Sequence, residues 1–267
     1  MKKQINLFFT ALMFYTRIPC PKHINHDEEM LNRATRYFPL IGYIVALISF
    51  IVLYSSYYLF QNIIICSVFI LISNLLITGA FHEDGFADMC DGFGGGWSKE
   101  KILEIMKDSR VGTYGATGLL VILGLKIYLL QLILNFTFVQ NSTLILDCIW
   151  ILILAHSLSR FCAVCVAYYL PYVREDELSK AKPIAKQHYI SDLIFGGVFS
   201  IIPLIFLALK YPSLFIALPI GLCFTLFFLI RFFKKWLGGY TGDCLGATQQ
   251  IVEIVIYLTV ICIWRFT

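Results

Sequence analysis

"IIICSVFILISNLLITGAFHEDGFADMCDG", residues 63–92, joins two environments in one stretch. Positions 63–81 carry no charged side chain and are long enough to approach the thickness of a hydrocarbon core of about 30 Å. The next ten residues hold four carboxylates, Glu83, Asp84, Asp88 and Asp91, and no Lys or Arg. A chain that ends an apolar run in uncompensated negative charge must be explained twice, once as a fold and once as chemistry.

The rest of the chain settles the first question. Of 267 residues, 59% are hydrophobic and 14% charged, with a mean hydropathy of +0.78. Soluble domains carry about 25% charged residues. The expectation is an all-α polytopic membrane protein, one integral-membrane domain over 1–267. About seven spans are read at 37–60, 63–81, 113–136, 143–170, 193–209, 213–230 and 246–264. Lys2 and Lys3 precede an apolar stretch from Ile5 to Tyr15, but Arg17 and Pro19 follow in place of a small-residue cleavage site. That reads as a retained interfacial or re-entrant helix.

Basic residues orient the spans. Seventeen of the 21 fall in the segment before the first span, in the loops at 82–112 and 171–192, and after residue 230. The opposite loops hold only Lys210 and Arg265, and Lys126 and Arg160 lie inside spans. The positive-inside bias predicts a cytoplasmic amino terminus and an active site facing the cytoplasm, built from 81–118, 171–192 and 231–247. The basic residues form no stripe with interleaved aromatics, so no nucleic-acid partner is expected. Nine scattered cysteines mostly lie in apolar runs, and the Cys162–Cys165 CxxC sits inside a span. No disulfide framework or redox pair is expected.

If the helix of 63–81 continues, Asp84, Asp88 and Asp91 fall within about 60° on one face. Each carboxylate pair then costs roughly 2–3 kcal/mol at about 6 Å and an effective dielectric near 20. Either protons or a cation must offset this. Oxygen-only ligands suit a hard ion such as Mg²⁺ or Mn²⁺, with open positions for phosphate. Gly85 and Gly92 share an adjacent strip where another helix can approach. The glycines of "GFGGGW", among them Gly94 and Gly95, predict a helix end whose backbone can approach a ligand. Ser98 is a candidate N-cap for a short amphipathic surface helix. Lys107, Asp108 and Arg110 follow, and the two cations are candidates to clamp phosphate. Within 143–170, His156 and Arg160 share a face, and Arg160 is about 15 Å from the cytoplasmic end. A charge at that depth faces a cavity or a partner. Asp243 either caps the last span or closes the site from the far end of the chain. Glu253 lies within that span and needs a partner.

"FHEDGFADMCDGFGGG" followed by "IMKDSRVGTYGATGL" resembles the signature of the cobalamin synthase family, the adenosylcobinamide-GDP ribazoletransferases. "YTRIP", "RYFPLIG" and "GGYTGDCLGATQQIVE" agree with it, so the resemblance spans nearly the whole chain. Met89–Cys90, where small residues are more usual, is a mild departure. The resemblance implies a bacterial cytoplasmic-membrane enzyme of nucleotide loop assembly. Adenosylcobinamide-GDP would react with α-ribazole or its 5′-phosphate to give adenosylcobalamin or its 5′-phosphate, plus GMP. It implies Mg²⁺ held by Glu83, Asp84, Asp88 and Asp91, with Lys107 and Arg110 on phosphate. Arg160, Gly94, Gly95 and Asp243 complete the expected substrate contacts. His82 or Asp108 would take the hydroxyl proton, and Asp84 and Asp88 join them as catalytic candidates. Expected partners are the two substrates, membrane lipids, and a homo-oligomer or a complex with other cobalamin enzymes.

Two other readings compete. "DMCDG" fits the opening of the CDP-alcohol phosphotransferases, although the rest of that pattern is missing. A transporter would use Lys126, His156 and Arg160 to line a path, but the polar groups gather on one side and no inverted repeat is evident.

Overall fold

The computed structural model describes residues 2–21, 24, 28–140, 145–174 and 189–266. Lys22, Lys180, Lys182 and Lys186, and with them most of the expected 171–192 site segment, lie outside the described residues. The described residues are helical and contain no strand beyond one isolated bridge between Tyr172 and Tyr240. Helix α1 is Lys2–Tyr15 and α2 is Glu28–Ala34, which runs through a 3₁₀ turn into α3, Phe38–Phe60. Then follow α4 (Ile63–Thr78), α5 (Phe81–Gly95), α6 (Lys99–Ile105) and α7 (Thr113–Leu134). The chain closes with α8 (Ile145–Tyr169), α9 (Ile190–Lys210), α10 (Leu214–Leu237) and α11 (Gly242–Phe266).

Six helices, α3 and α7 to α11, are long and apolar enough to cross a membrane alone. Helix α4 passes the same test only together with α5, and the two are bent by 90°. The acidic segment is therefore not the continuation of the span before it. The break has a local cause. Gly79 and Ala80 both adopt left-handed backbone, at φ 65° and 55°. Glycine enters that region freely, whereas alanine meets a steric cost there. The Arg17 N–H donates to the Ile77 carbonyl at 2.6 Å, and the Arg17 side chain lies where a β-carbon on Gly79 would sit. The chain after α1 thus docks on the broken end and holds it. Helix α4 is about 24 Å long at 1.5 Å per residue, and α5 turns away from its end at 90°.

The spans alternate in direction, as their end contacts record. At one end, Arg36 before α3 pairs with Asp192 in the first turn of α9. There the segment after α8 also joins the segment before α11, through Val173 N–H to the Tyr240 carbonyl (3.0 Å) and Tyr240 N–H to the Pro171 carbonyl (2.9 Å). At the other end, Lys210 and the Tyr211 hydroxyl both reach Asp147 at 2.7 Å, and Phe136 stacks on Trp264. Helix α8 is buried along most of its length and forms the centre of the bundle. Helix α10 turns Phe224, Phe227 and Phe228 outward, as a lipid-facing helix does. In lipid, helices gain little from hydrophobic burial against one another, so close packing at small residues decides where they meet.

Candidate active site

One such crossing builds the site. A β-carbon on Gly85 of α5 would lie 3.0 Å from Cα of Asp243, and one on Gly246 of α11 would lie 3.0 Å from the His82 carbonyl. Only glycine lets the two backbones come this near. The contact sets Asp243 beside Asp84 and Asp88, residues from opposite ends of the chain. An expected close approach at Gly85 is therefore real, and its partner is α11. Gly92 instead packs against Met106 and Ile102 of the α6 segment.

Around this crossing is a cleft of about 240 Å³. Its charged lining is Asp84, Asp243 and Arg174. Arg174 donates to Asp243 at 2.7 Å and to the Met106 carbonyl at 3.0 Å. Asp88, half-buried on the same helix, feels both other carboxylates. Burial first, then Asp243 and Asp84, push its pKa up to about 7. Among the described residues, three carboxylates here face one guanidinium. His82 also lines the cleft, its ring stacked on Phe38 at 5.6 Å. Its buried Nε2 has no hydrogen-bond partner among the described residues; the residue also borders the small inner cavity, and burial, then the Arg160 charge, hold its pKa well below the usual imidazole range.

Behind His82 a second cluster fills the bundle. It has a cavity of only about 10 Å³. Glu253 takes hydrogen bonds from Lys126 (3.2 Å), Gln249 (2.8 Å) and the Tyr257 hydroxyl (3.3 Å). Lys126 also donates to Gln250 (2.7 Å), whose amide donates to Glu83 (2.8 Å). Arg160 donates to the His156 carbonyl and lies over the Phe38 ring. The partner that Glu253 required is Lys126, a residue sequence reasoning left unassigned.

The geometry corrects several expectations. The four acids of α5 do not share one ion site. Asp91 turns to the start of α7 and accepts from the N–H groups of Gly112 (2.7 Å) and Gly115 (2.8 Å); it satisfies otherwise orphaned helix-start donors. Glu83 faces the inner cluster, about 100° around the helix from Asp84. Among the described residues no three His, Cys, Asp or Glu side chains converge to hold a metal. What remains on the cleft side is Asp84, Asp88 and Asp243, three carboxylates near one another that do not converge on a common ion position. Arg160 belongs to the inner cluster and does not line the cleft. Gly94 and Gly95 lie within α5, where Gly94 is covered by the Tyr114 ring; they are packing residues and not an open loop. Asp108 is clasped by the exposed Arg110 through contacts of 2.6–3.1 Å, and those hydrogen bonds hold its pKa down at about 2. So weak a base is poorly suited to take a proton. Neither Lys107, Asp108 nor Arg110 lines the cleft. Ser98 caps α6 as expected, accepting from Lys101 N–H. Sequence reasoning missed Arg174 as a site residue, and with it Tyr172 and Tyr240.

The profile of the cobalamin-5-phosphate synthase family matches residues 7–261. The chain belongs to this family. It is a transferase of cobalamin biosynthesis. A Leptospira interrogans protein named adenosylcobinamide-GDP ribazoletransferase is 41% identical over 271 residues, covering 99% of this chain and 98% of its own length. Proteins of the same name from Shewanella oneidensis and Shewanella frigidimarina are 43% identical over 98% of this chain and 95% and 96% of theirs. No solved structure matches. The motifs that carry the resemblance, the acidic segment and "GGYTGDCLGATQQIVE", are the two stretches that α5 and α11 bring into contact.

Proposed function

We propose that this cobalamin-5-phosphate synthase relative transfers the adenosylcobinamide phosphate moiety from adenosylcobinamide-GDP to α-ribazole or its 5′-phosphate, and releases GMP. A ribose hydroxyl oxygen forms a bond to the cobinamide-side phosphorus. The bond from that phosphorus to the bridging oxygen breaks, and the electron pair leaves with GMP. The hydroxyl proton leaves to a base at the cleft, for which His82, which lines it, is the candidate. Among the described residues no Ser–His–Asp or Cys–His set lines the cleft, in keeping with a direct displacement.

The observation that carries this reading is the charge imbalance at the cleft: Asp84, Asp88 and Asp243 against Arg174. Mg²⁺ takes one or two carboxylates and completes its shell with substrate phosphate and water, and when bound it neutralises charge on the diphosphate. Asp84 and Asp88 would hold it. Asp243, braced by Arg174, sets the opposite wall. The described basic residues other than Lys126, Arg160, Lys210 and Arg265 lie towards the cleft end of the bundle, and the positive-inside rule supports a cleft on the cytoplasmic side of the bacterial inner membrane.

The test is a membrane-fraction assay with adenosylcobinamide-GDP and α-ribazole, with and without Mg²⁺, beside an assay with CDP-diacylglycerol and an alcohol. GMP release in the first alone, lost on chelation, is expected. Turnover only in the second would replace the reading with a CDP-alcohol phosphotransferase. Activity that survives thorough chelation would remove the metal from it.

A further inference from the structure

Glu83 and Asp91, the two acids of α5 that leave the cleft, sit towards opposite ends of the helix, and each ties it to a different neighbour. Asp91 holds the start of α7. Glu83 is tied to α11, where Gln250 Nε2 donates to its Oε1 at 2.8 Å. Among the described residues this is the one hydrogen bond Glu83 accepts, and its Oε2 is buried without a partner. The Gln250 amide is engaged on every side. Its oxygen accepts from Lys126 at 2.7 Å, and its nitrogen also donates to the Gln249 side-chain oxygen at 2.7 Å. Turned over, the amide would set its oxygen against the Glu83 carboxylate and its N–H groups against the Lys126 ammonium, so one orientation alone fits. Gln250 and Glu83 are both buried, and α5 therefore has a fixed polar contact on its side away from the cleft.

That contact matters because of how α5 is otherwise held. The helix is 15 residues long, is bent 90° from α4, and meets α11 where Gly85 and Gly246 each face backbone. A crossing without β-carbons has no side-chain knob to resist rotation about the helix axis. Where hydrophobic burial drives little, an interhelical polar bond decides what packing leaves open. Around α5, Glu83 is about 100° from Asp84 and about 140° from Asp88. Fixing Glu83 against α11 fixes the direction of both. A rotation of only about 20° would carry a carboxylate at the helix surface through about 2 Å. We infer that Gln250 is a positioning residue of the transfer site: its amide, held by Lys126, sets the rotation of α5 through Glu83 and so aims Asp84 and Asp88 at the cleft. The part those two acids play in turnover comes from the transfer reading, and the inference rests on it for that step.

The experiment uses the full chain in lipid nanodiscs and reads two quantities: amide hydrogen exchange along α5, and kcat with donor KM for GMP release from adenosylcobinamide-GDP. Gln250→Leu removes the tether, and exchange along α5 should rise at least about tenfold relative to α8. Its kcat should fall about 10²-fold while donor KM stays within about threefold. Glu83→Gln keeps an acceptor oxygen for Gln250 and should stay within about threefold of wild type in both quantities. Gln250→Glu sets carboxylate against carboxylate and should match Gln250→Leu. Adding Glu83→Gln to it exchanges donor and acceptor at unchanged net charge, so the double variant should regain at least about tenfold in kcat and restore slow exchange in α5. A double variant no better than Gln250→Glu, or exchange in Gln250→Leu that rises equally in α5 and α8, would overturn the assignment. So would Glu83→Gln abolishing turnover alone, which would return Glu83 to the reacting groups. A wild-type chain that releases no GMP would sink the transfer reading, and the exchange pattern would still decide the tether.

Discussion

Two charged clusters share α5 and α11, separated by little more than His82, and they are built on opposite terms. The inner one, around Glu83, Lys126, Arg160 and Glu253, matches two carboxylates with two cations and fills its cavity with amides and hydroxyls. The outer one sets Asp84, Asp88 and Asp243 against one cation among the described residues, Arg174, and leaves a cleft open. A buried cluster that balances itself is closed chemistry; it holds helices together. One that does not balance favours the approach of positive charge. On the proposed function, the difference separates residues that support the site from residues that act in it, although Glu83 and Asp84 are adjacent in sequence.

The sharpest way to break the comparison is to neutralise the outer acids. Asp84→Asn and Asp88→Asn should each lower turnover by about 10³-fold or more, in line with loss of a preorganised electrostatic group. Membrane insertion and thermal stability should stay near wild type, because removing charge from an over-negative cleft relieves repulsion. Rates of GMP release beside melting curves in detergent decide it. Near-normal turnover in either variant would remove that residue from the metal-holding pair.

The inner cluster should respond in the reverse sense. Lys126→Met leaves Glu253 charged and buried, a situation that costs about 3–5 kcal/mol. Adding Glu253→Gln removes the orphan, so the double variant should regain much of the lost stability. Thermal unfolding of the two single variants and the double variant gives the coupling directly. Additive losses would mean that the two residues are not paired as the geometry places them.

Much of this was legible from residue types and spacing. Apolar run lengths gave seven spans because a bilayer sets that length without reference to tertiary contacts. Glu253 announced a partner because an unpaired carboxylate is intolerable at that depth. The sense of α5 was less legible. Helical periodicity places Asp84, Asp88 and Asp91 on one face, and α5 is indeed helical, but the first turn of α7 claims Asp91, a contact between residues 21 and 24 positions apart. The bend at Gly79–Ala80 depends on a left-handed alanine, which no propensity favours. Arg174 looked like one more loop cation, because nothing local shows that it meets Asp243, 69 positions away. The Gln249–Gln250 pair was a readable signal, two amides inside an apolar span, and it marked the link between Glu253 and Glu83.

Protonation gives a subtler handle on the outer cluster. Its burial and its neighbours Asp243 and Asp84 put the Asp88 pKa at about 7, so below that pH a proton occupies the position a cation would use. Metal binding must expel it. Apparent Mg²⁺ affinity should therefore fall about tenfold for each pH unit below about 7, and level off above it. Mg²⁺ titrations of GMP release from about pH 5.5 to about pH 8 test this. A flat profile would mean that Asp88 does not meet the ion.

The smallest effect tests the line between the clusters. Asp91 was expected among the metal ligands, yet both of its oxygens are engaged by Gly112 and Gly115 N–H groups. Asp91→Ala should act as a lost helix cap, with a stability cost of about 1–2 kcal/mol. Asp91→Asn, which keeps one acceptor oxygen, should cost less. In neither variant should the Mg²⁺ concentration for half-maximal turnover move more than about twofold, since the carboxylate points away from the cleft. A tenfold shift in that concentration, with melting unchanged, would return Asp91 to the metal set. It would also mean that the start of α7 rearranges when substrate arrives.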